Sequence, residues 1–160
     1  MPYPEGLAVG DKIPLDIALP NQAGETVHLG RFGERNLVIY FYPADDTPGC
    51  TVEGKEFREL ADQFAALDCV IIGISVDSVE SHRAFAEKHG LGFTLLADVE
   101  GAMARRFGVF KDGLAQRSTF VVDGERIIRR RYDNVLPRGH AQRVLDFVRS
   151  LLESHRMLGG

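Results

Sequence analysis

Two continuous apolar runs stand out against stripes of apolar residues spaced by charge. Residues 36–42 (NLVIYFY) and 69–76 (CVIIGISV) are rich in β-branched and aromatic side chains and read as strands buried on both faces. Pro43 ends the first. Between them, residues 51–67 place Phe57, Leu60, Ala61 and Phe64 at i, i+3, i+4 and i+7, which predicts an amphipathic helix. Strand, helix and strand make a βαβ unit with parallel strands and a right-handed crossover. Upstream, residues 16–19 and 26–29 flank Asn21–Gly24 as two short strands around a turn. Downstream, Asp77 or Ser78 caps a helix reaching about Gly90, residues 93–97 form a short strand, and residues 101–107 a short helix. Residues 118–122 and 126–132 flank Asp123-Gly124, with Glu125 opening the return strand, so an antiparallel hairpin with a tight turn is expected. A closing helix over about 138–153 gathers Ala141, Val144, Leu145, Val148, Leu151 and Leu152 on one face. This order predicts an α/β architecture, a mixed β-sheet flanked by helices, with residues 1–160 as one domain.

Composition narrows the classes of function. Hydrophobic residues make up 44% and charged residues 26%, which suits a soluble globular chain. A net charge of -4 lacks the basic footprint of a nucleic-acid binder. Cys50 and Cys69 are too few for a disulfide scaffold and too far apart for a CxxC zinc site or dithiol. The histidines fall at no paired-ligand spacing, so neither metal nor cofactor is expected. The opening MPYPEGLAVGDKIP has no apolar core, which speaks against a signal peptide, and no apolar run reaches membrane-spanning length. The expected location is cytoplasmic, away from membranes.

The chemistry gathers around Tyr42-Pro43-Ala44-Asp45-Asp46-Thr47-Pro48-Gly49-Cys50-Thr51. Cys50 sits where a buried strand hands over to a helix, at the strand's carboxyl end, where open α/β sheets bind ligands. The first amides of a helix have no intrahelical partner and the dipole end is positive. A thiolate is favoured there, and the thiolate is the nucleophile. By position alone, Cys50 could equally be a small residue filling a junction.

The pattern Pro43-x-x-x-Thr47-x-x-Cys50 resembles the active-site signature of the peroxiredoxins, thiol peroxidases of thioredoxin-like fold. The longer stretch is similar to their bacterioferritin-comigratory, or PrxQ, branch, and the likeness runs over roughly residues 7–152. The resemblance implies that Cys50 is the peroxidatic cysteine, which attacks hydrogen peroxide or an organic hydroperoxide and becomes a sulfenic acid. It implies that Thr47 contacts the peroxide with its hydroxyl, that Pro43 walls the pocket, and that Arg117 faces the thiolate as an always-charged cation. A helix cap at Thr47 and strand termination at Pro43 are the simpler roles for those two. Glu53 matches a recurrent acid and is expected to act structurally in the first turn. Arg129 to Arg131 are expected to be solvated.

The chain departs from the pattern at Lys55, where many relatives carry a resolving cysteine, and residues 101–107 hold none either. Lys55 is expected to be a solvated helix residue. Cys69 is expected to be a core residue, and the βαβ layout makes its reaching Cys50 difficult without local unfolding. A one-cysteine cycle follows, in which thioredoxin, glutaredoxin or a low-molecular-weight thiol reduces the sulfenate. A redox sensor signalling through oxidised Cys50 remains a second reading. A thiol-disulfide oxidoreductase is a third, weakened by the missing second thiol. Monomer and homodimer are both open.

Overall fold

The computed structural model describes residues 6–157. Part of the opening segment that was read for a signal peptide lies outside the described residues. A hairpin of β1 (Ala18–Pro20) and β2 (Thr26–His28) leads through a 3-10 turn, Leu29–Phe32, into β3 (Asn36–Phe41). Helix α1 (Pro48–Ala66) then crosses to β4 (Cys69–Ser75), α2 (Val79–His89) to β5 (Thr94–Ala97), and α3 (Ala102–Phe107) follows. A small hairpin of β6 (Phe110–Lys111) and β7 (Leu114–Ala115) precedes β8 (Ser118–Val122), β9 (Ile128–Tyr132) and α4 (His140–Met157). The main sheet has the order β5-β4-β3-β8-β9. β3, β4 and β5 are parallel, whereas β8 and β9 are antiparallel to their neighbours. The sheet is therefore mixed and flanked by helices, the thioredoxin-like α/β arrangement.

Alternation along the central strand builds two cores. Leu37, Ile39 and Phe41 point to the face covered by α3 and the β1–β2 hairpin, where they meet Phe107, Phe120 and Leu29. Val38, Tyr40 and Tyr42 point to the face covered by α1, α2 and α4, where they meet Phe57, Phe85 and Val144. Because both faces are covered, β3 reads as an unbroken apolar run.

Four boundaries differ from the sequence pattern for identifiable reasons. α1 starts at Pro48, ahead of residue 51, because proline at the first helical position fits the helix φ and gives up an N–H that had no partner. Cys50 therefore lies inside the first turn. The two-residue turn on Asp-Gly occurs at Asp112-Gly113, both at positive φ, between β6 and β7. At the β8–β9 hairpin the turn is longer. Asp123 Oδ1 accepts from the amides of Glu125 and Ile127, Arg126 takes the left-handed φ of 69°, and Glu125 stays within the turn. The last helix runs on to Met157, and Leu151 and Leu152 are only half-buried.

Ser78, not Asp77, caps α2, its hydroxyl accepting from the Ser81 amide at 3.1 Å. Among the edge-strand arginines, Arg131 is not solvated. It is half-buried, bonding Asp133 through Nε at 3.0 Å and the Leu7 carbonyl through Nη1 at 2.6 Å. No described helix is long and apolar enough to cross a membrane.

Gly124 is glycine for close approach. A Cβ on it would stand 2.3 Å from the Glu34 carbonyl oxygen, a backbone atom that cannot swing aside. Gly124→Ala is expected to destabilise the fold by about 1–3 kcal/mol, measured by denaturant unfolding. An unchanged midpoint would show that the turn and residue 34 move apart freely.

Candidate active site

Three local features bring Cys50 to the carboxyl end of the sheet. The Tyr42 amide still bonds the Ile74 carbonyl, after which half-buried Pro43 opens the loop to α1. Thr47 is the helix N-cap residue in extended conformation, and the first helical bond runs from the Thr51 amide to its carbonyl at 2.9 Å. Cys50 is the third residue of the helix and only 2% exposed. The Thr47 hydroxyl makes no cap. It donates to the Ala44 carbonyl at 3.0 Å, which leaves oxygen lone pairs to accept from another donor.

Arg117 arrives from the other side. It immediately precedes β8, and the antiparallel register pairs Ser118 with Phe41 at the same end of the sheet. Its Nη2 donates to Cys50 Sγ at 3.2 Å and its Nη1 to Glu53 Oε1 at 2.7 Å. Gly49 makes room for this, since a Cβ there would meet Arg117 Nη2 at 3.2 Å and Pro137 Cγ at 3.3 Å. The Val135 amide holds the Arg117 carbonyl at 3.2 Å. The guanidinium is thus fixed from both ends, and its charge stabilises an anionic sulfur.

Glu53 is fully buried, with Oε2 lacking a hydrogen-bond partner among the described residues. Burial pushes its carboxyl up to about 7 against the opposing pull of Arg117. Burial also works against the charge of Arg117, but Glu53 and Cys50 beside it outweigh that and hold it above its ordinary value. The sequence expectation of a purely structural acid missed this contact. The available signal was the i, i+3 spacing, which sets Cys50 and Glu53 on one helix face. Nothing in the chain's pattern signalled Gly49 or the loop at Val135–Pro137.

Of the four residues expected at the site, Cys50 and Arg117 are in contact, Thr47 caps the same turn by position, and Pro43 starts the loop. Lys55 is exposed on α1. Cys69 is buried and pairs in register with Asn36, at the opposite end of β3 from the site. A strand of that length separates the two thiols by roughly 20 Å, against the ~7 Å limit on Cα separation for a disulfide. Burial, reinforced by Asp68, pushes the Cys69 thiol up to about 12. A cleft lined by Glu34, Asn36, Asp123 and Glu125 lies at that far end and contains no thiol.

The raised Glu53 carboxyl makes stability depend on pH. Its folded value of about 7 exceeds its ordinary value of 4.5. The folded state therefore binds the proton more tightly. The stabilisation is complete below about 4.5 and is lost as pH rises through about 7. Glu53→Gln is expected to flatten the fall in unfolding free energy over that window in denaturant titrations. A wild-type slope retained by the variant would assign it to another group.

The sequence profile of the AhpC/TSA family matches residues 9–131. Peroxiredoxin Bcp of Bacillus subtilis (strain 168) is 40% identical over 156 residues, covering 92% of this chain and 98% of its own. The chloroplastic peroxiredoxin Q of Sedum lineare is 39% identical over 142 residues, 86% of this chain and 76% of its own. Among solved structures, a cysteine-to-serine mutant of Xylella fastidiosa PrxQ superposes with a TM-score of 0.88 at 32% identity, covering 91% of this chain and 98% of that one. BcpB of Mycobacterium tuberculosis gives 0.83 at 35% identity, over 90% and 97%. With a buried cysteine in the first turn of a helix, facing an arginine, on a scaffold shared nearly end to end with these proteins, the chain belongs to the AhpC/TSA family and is one of its peroxiredoxins, the thiol-dependent peroxidases.

Proposed function

We propose that the chain reduces hydrogen peroxide and organic hydroperoxides at Cys50 by a one-cysteine cycle, as a single domain. The observation that carries this reading is the Arg117 Nη2 bond to Cys50 Sγ at 3.2 Å, in the first turn of α1. Guanidinium and helix end together favour the thiolate. The sulfur attacks one peroxide oxygen, the S–O bond forms as the O–O bond breaks, and the departing hydroxide or alkoxide takes up a proton. The product is a sulfenic acid plus water or an alcohol.

The Thr47 hydroxyl gives its proton to Ala44, so its lone pairs accept from the peroxide O–H. Arg117 steadies the developing charge, and Pro43 limits water at the sulfur. An external thiol then attacks the sulfenic sulfur, expelling water and leaving a mixed disulfide. A second thiol releases Cys50 and the oxidised reductant. Thioredoxin, glutaredoxin or a small thiol fits that role. The cycle belongs in a reducing compartment, and the cytoplasm supplies one.

The distance between the thiols supports the external reductant, because no internal cysteine lies within disulfide reach. Cys50→Ser is expected to abolish peroxide consumption and Cys69→Ser to retain most of it. Arg117→Ala is expected to slow iodoacetamide alkylation of Cys50 at neutral pH without unfolding the chain. Loss of turnover in a folded Cys69 variant would make Cys69 the resolving residue. Steady-state turnover with excess thiol separates an enzyme from a sensor, which reacts once and stalls.

A sulfenate with no neighbouring thiol can meet a second peroxide and become sulfinic acid, which ordinary thiols do not restore. Intact mass after graded peroxide without reductant is expected to show two or three added oxygens on Cys50, suppressed as reductant is added. A persistent loss of two hydrogens would reveal a Cys50–Cys69 disulfide and overturn the one-cysteine cycle.

A further inference from the structure

Behind the active-site loop lies a buried polar cluster that the chemistry at Cys50 does not use directly. His82 on α2 is fully buried, and the Asp45 side chain is only 4% exposed. Asp45 stands two residues before Thr47, in the loop that delivers Cys50. Its Oδ2 receives His82 Nδ1 at 2.7 Å and the Ser81 hydroxyl at 2.8 Å, and its Oδ1 receives the Tyr42 hydroxyl at 2.6 Å. The other ring nitrogen of His82 meets the Leu96 carbonyl of β5 at 2.9 Å. The ring thus bridges the loop carboxylate and the backbone of β5.

The Asp45 amide donates to Asp77 Oδ2 at 2.8 Å, and Asp77 Oδ2 in turn accepts from the Ser75 hydroxyl at 2.5 Å. The donor atoms of Asp45, Asp77 and His82 lie within 4.8 Å of one another, yet each residue is already bonded within the protein. Next in the chain, Asp46 takes a left-handed φ of 59° and is gripped from α2 by Lys88 at 2.9 Å and His89 at 3.2 Å. That outer pair is solvent-exposed and of small energetic weight. The inner pair is shut away from water, so removing one partner leaves a buried polar group without its hydrogen bond.

We propose that the buried Asp45–His82 pair positions the loop of residues 43–47 for the peroxide, which makes His82 a positioning residue for the peroxidatic reaction although it never touches the substrate. The proposal rests on the reading of Thr47 as the peroxide acceptor. Asp45 anchors the backbone just ahead of Thr47, whose own hydroxyl is aimed by the Ala44 carbonyl on the other side of Asp45. Arg117 reaches the sulfur from the residue just before β8, apart from this cluster. Loosening the pair should therefore spoil peroxide alignment while leaving the nucleophile intact.

The experiment compares two reactions of the same sulfur. Cys50 oxidation by hydrogen peroxide and its alkylation by iodoacetamide are timed at one pH in the wild type, His82→Gln, Tyr42→Phe, Lys88→Ala and Thr47→Val. His82→Gln removes the imidazole that bridges Asp45 and the Leu96 carbonyl. Tyr42→Phe removes one donor to Asp45 and keeps the buried ring, which serves if the glutamine variant does not fold. Peroxide oxidation is expected to fall about tenfold or more in His82→Gln and Tyr42→Phe, with alkylation within about twofold of wild type. Lys88→Ala should match wild type in both, and Thr47→Val should show the same peroxide-selective loss.

If the split appears in Thr47→Val while His82→Gln and Tyr42→Phe keep the wild-type ratio, the positioning role is wrong and the reading of Thr47 stands. Equal losses in both reactions would likewise reduce the pair to a structural prop. If Thr47→Val itself shows no split, the reading of Thr47 fails and the proposal falls with it.

Discussion

The Arg117 guanidinium reaches Cys50 Sγ with one nitrogen and Glu53 Oε1 with another, and both acceptors are shut away from water. A buried carboxyl and a buried sulfur both need a hydrogen-bond partner out of water, and one guanidinium serves both. The rest of the architecture accommodates that demand. β8 must lie beside β3 for Arg117 to arrive at the level of the α1 start. Glycine at residue 49 leaves room for the guanidinium and Pro137, which a Cβ there would press at 3.2 and 3.3 Å. The loop at Val135 must hold the Arg117 backbone. Sheet order, a glycine and a distant loop thus serve a single contact.

Much of this framework is legible in the chain because burial on two faces leaves an unmistakable run. NLVIYFY and CVIIGISV mark the central pair of strands, and the helical spacing of Phe57 and Phe64 marks the crossover. The helix that holds Cys50 is legible too, apart from its first turn, where Pro48 begins it earlier than the apolar stripe suggests. The β8–β9 turn was misread because Asp123-Gly124 carries a turn dipeptide for another reason. Its glycine lets residue 34 pass close by, while the left-handed position falls on Arg126. The dipeptide's ordinary use appears instead at Asp112-Gly113, in strands too short for alternation to show.

The site itself was only half legible. The junction makes Cys50 a candidate and likeness to a family makes it the site, whereas Arg117 has no periodicity to distinguish it among many arginines, and only that likeness singles it out. Glu53 lies at a readable spacing, yet its importance comes from a partner sixty-four residues away. Asp45 and His82 lie 37 residues apart on different kinds of element, one in a loop and one on a helix. Each looks like an ordinary surface residue of a loop or helix until the fold removes the water between them. Contacts made across elements, rather than along one, are what local pattern cannot express.

The outermost strand, β9, ends the sheet with Arg129, Arg130 and Arg131 in succession. Arg129 is held toward Asp123, Arg130 lies over the rings of Tyr132 and Phe147, and Arg131 folds back on Asp133. The start of that edge is already taken by the chain's own segment 10–13: the Gly10 amide donates to the Ile128 carbonyl at 2.8 Å, the Ile128 amide to the Asp11 carbonyl at 2.9 Å, and the Ile13 amide to the Arg126 carbonyl at 3.0 Å. Backbone groups spent on this segment are not offered to another strand, so only the remainder of β9 presents an unshared edge.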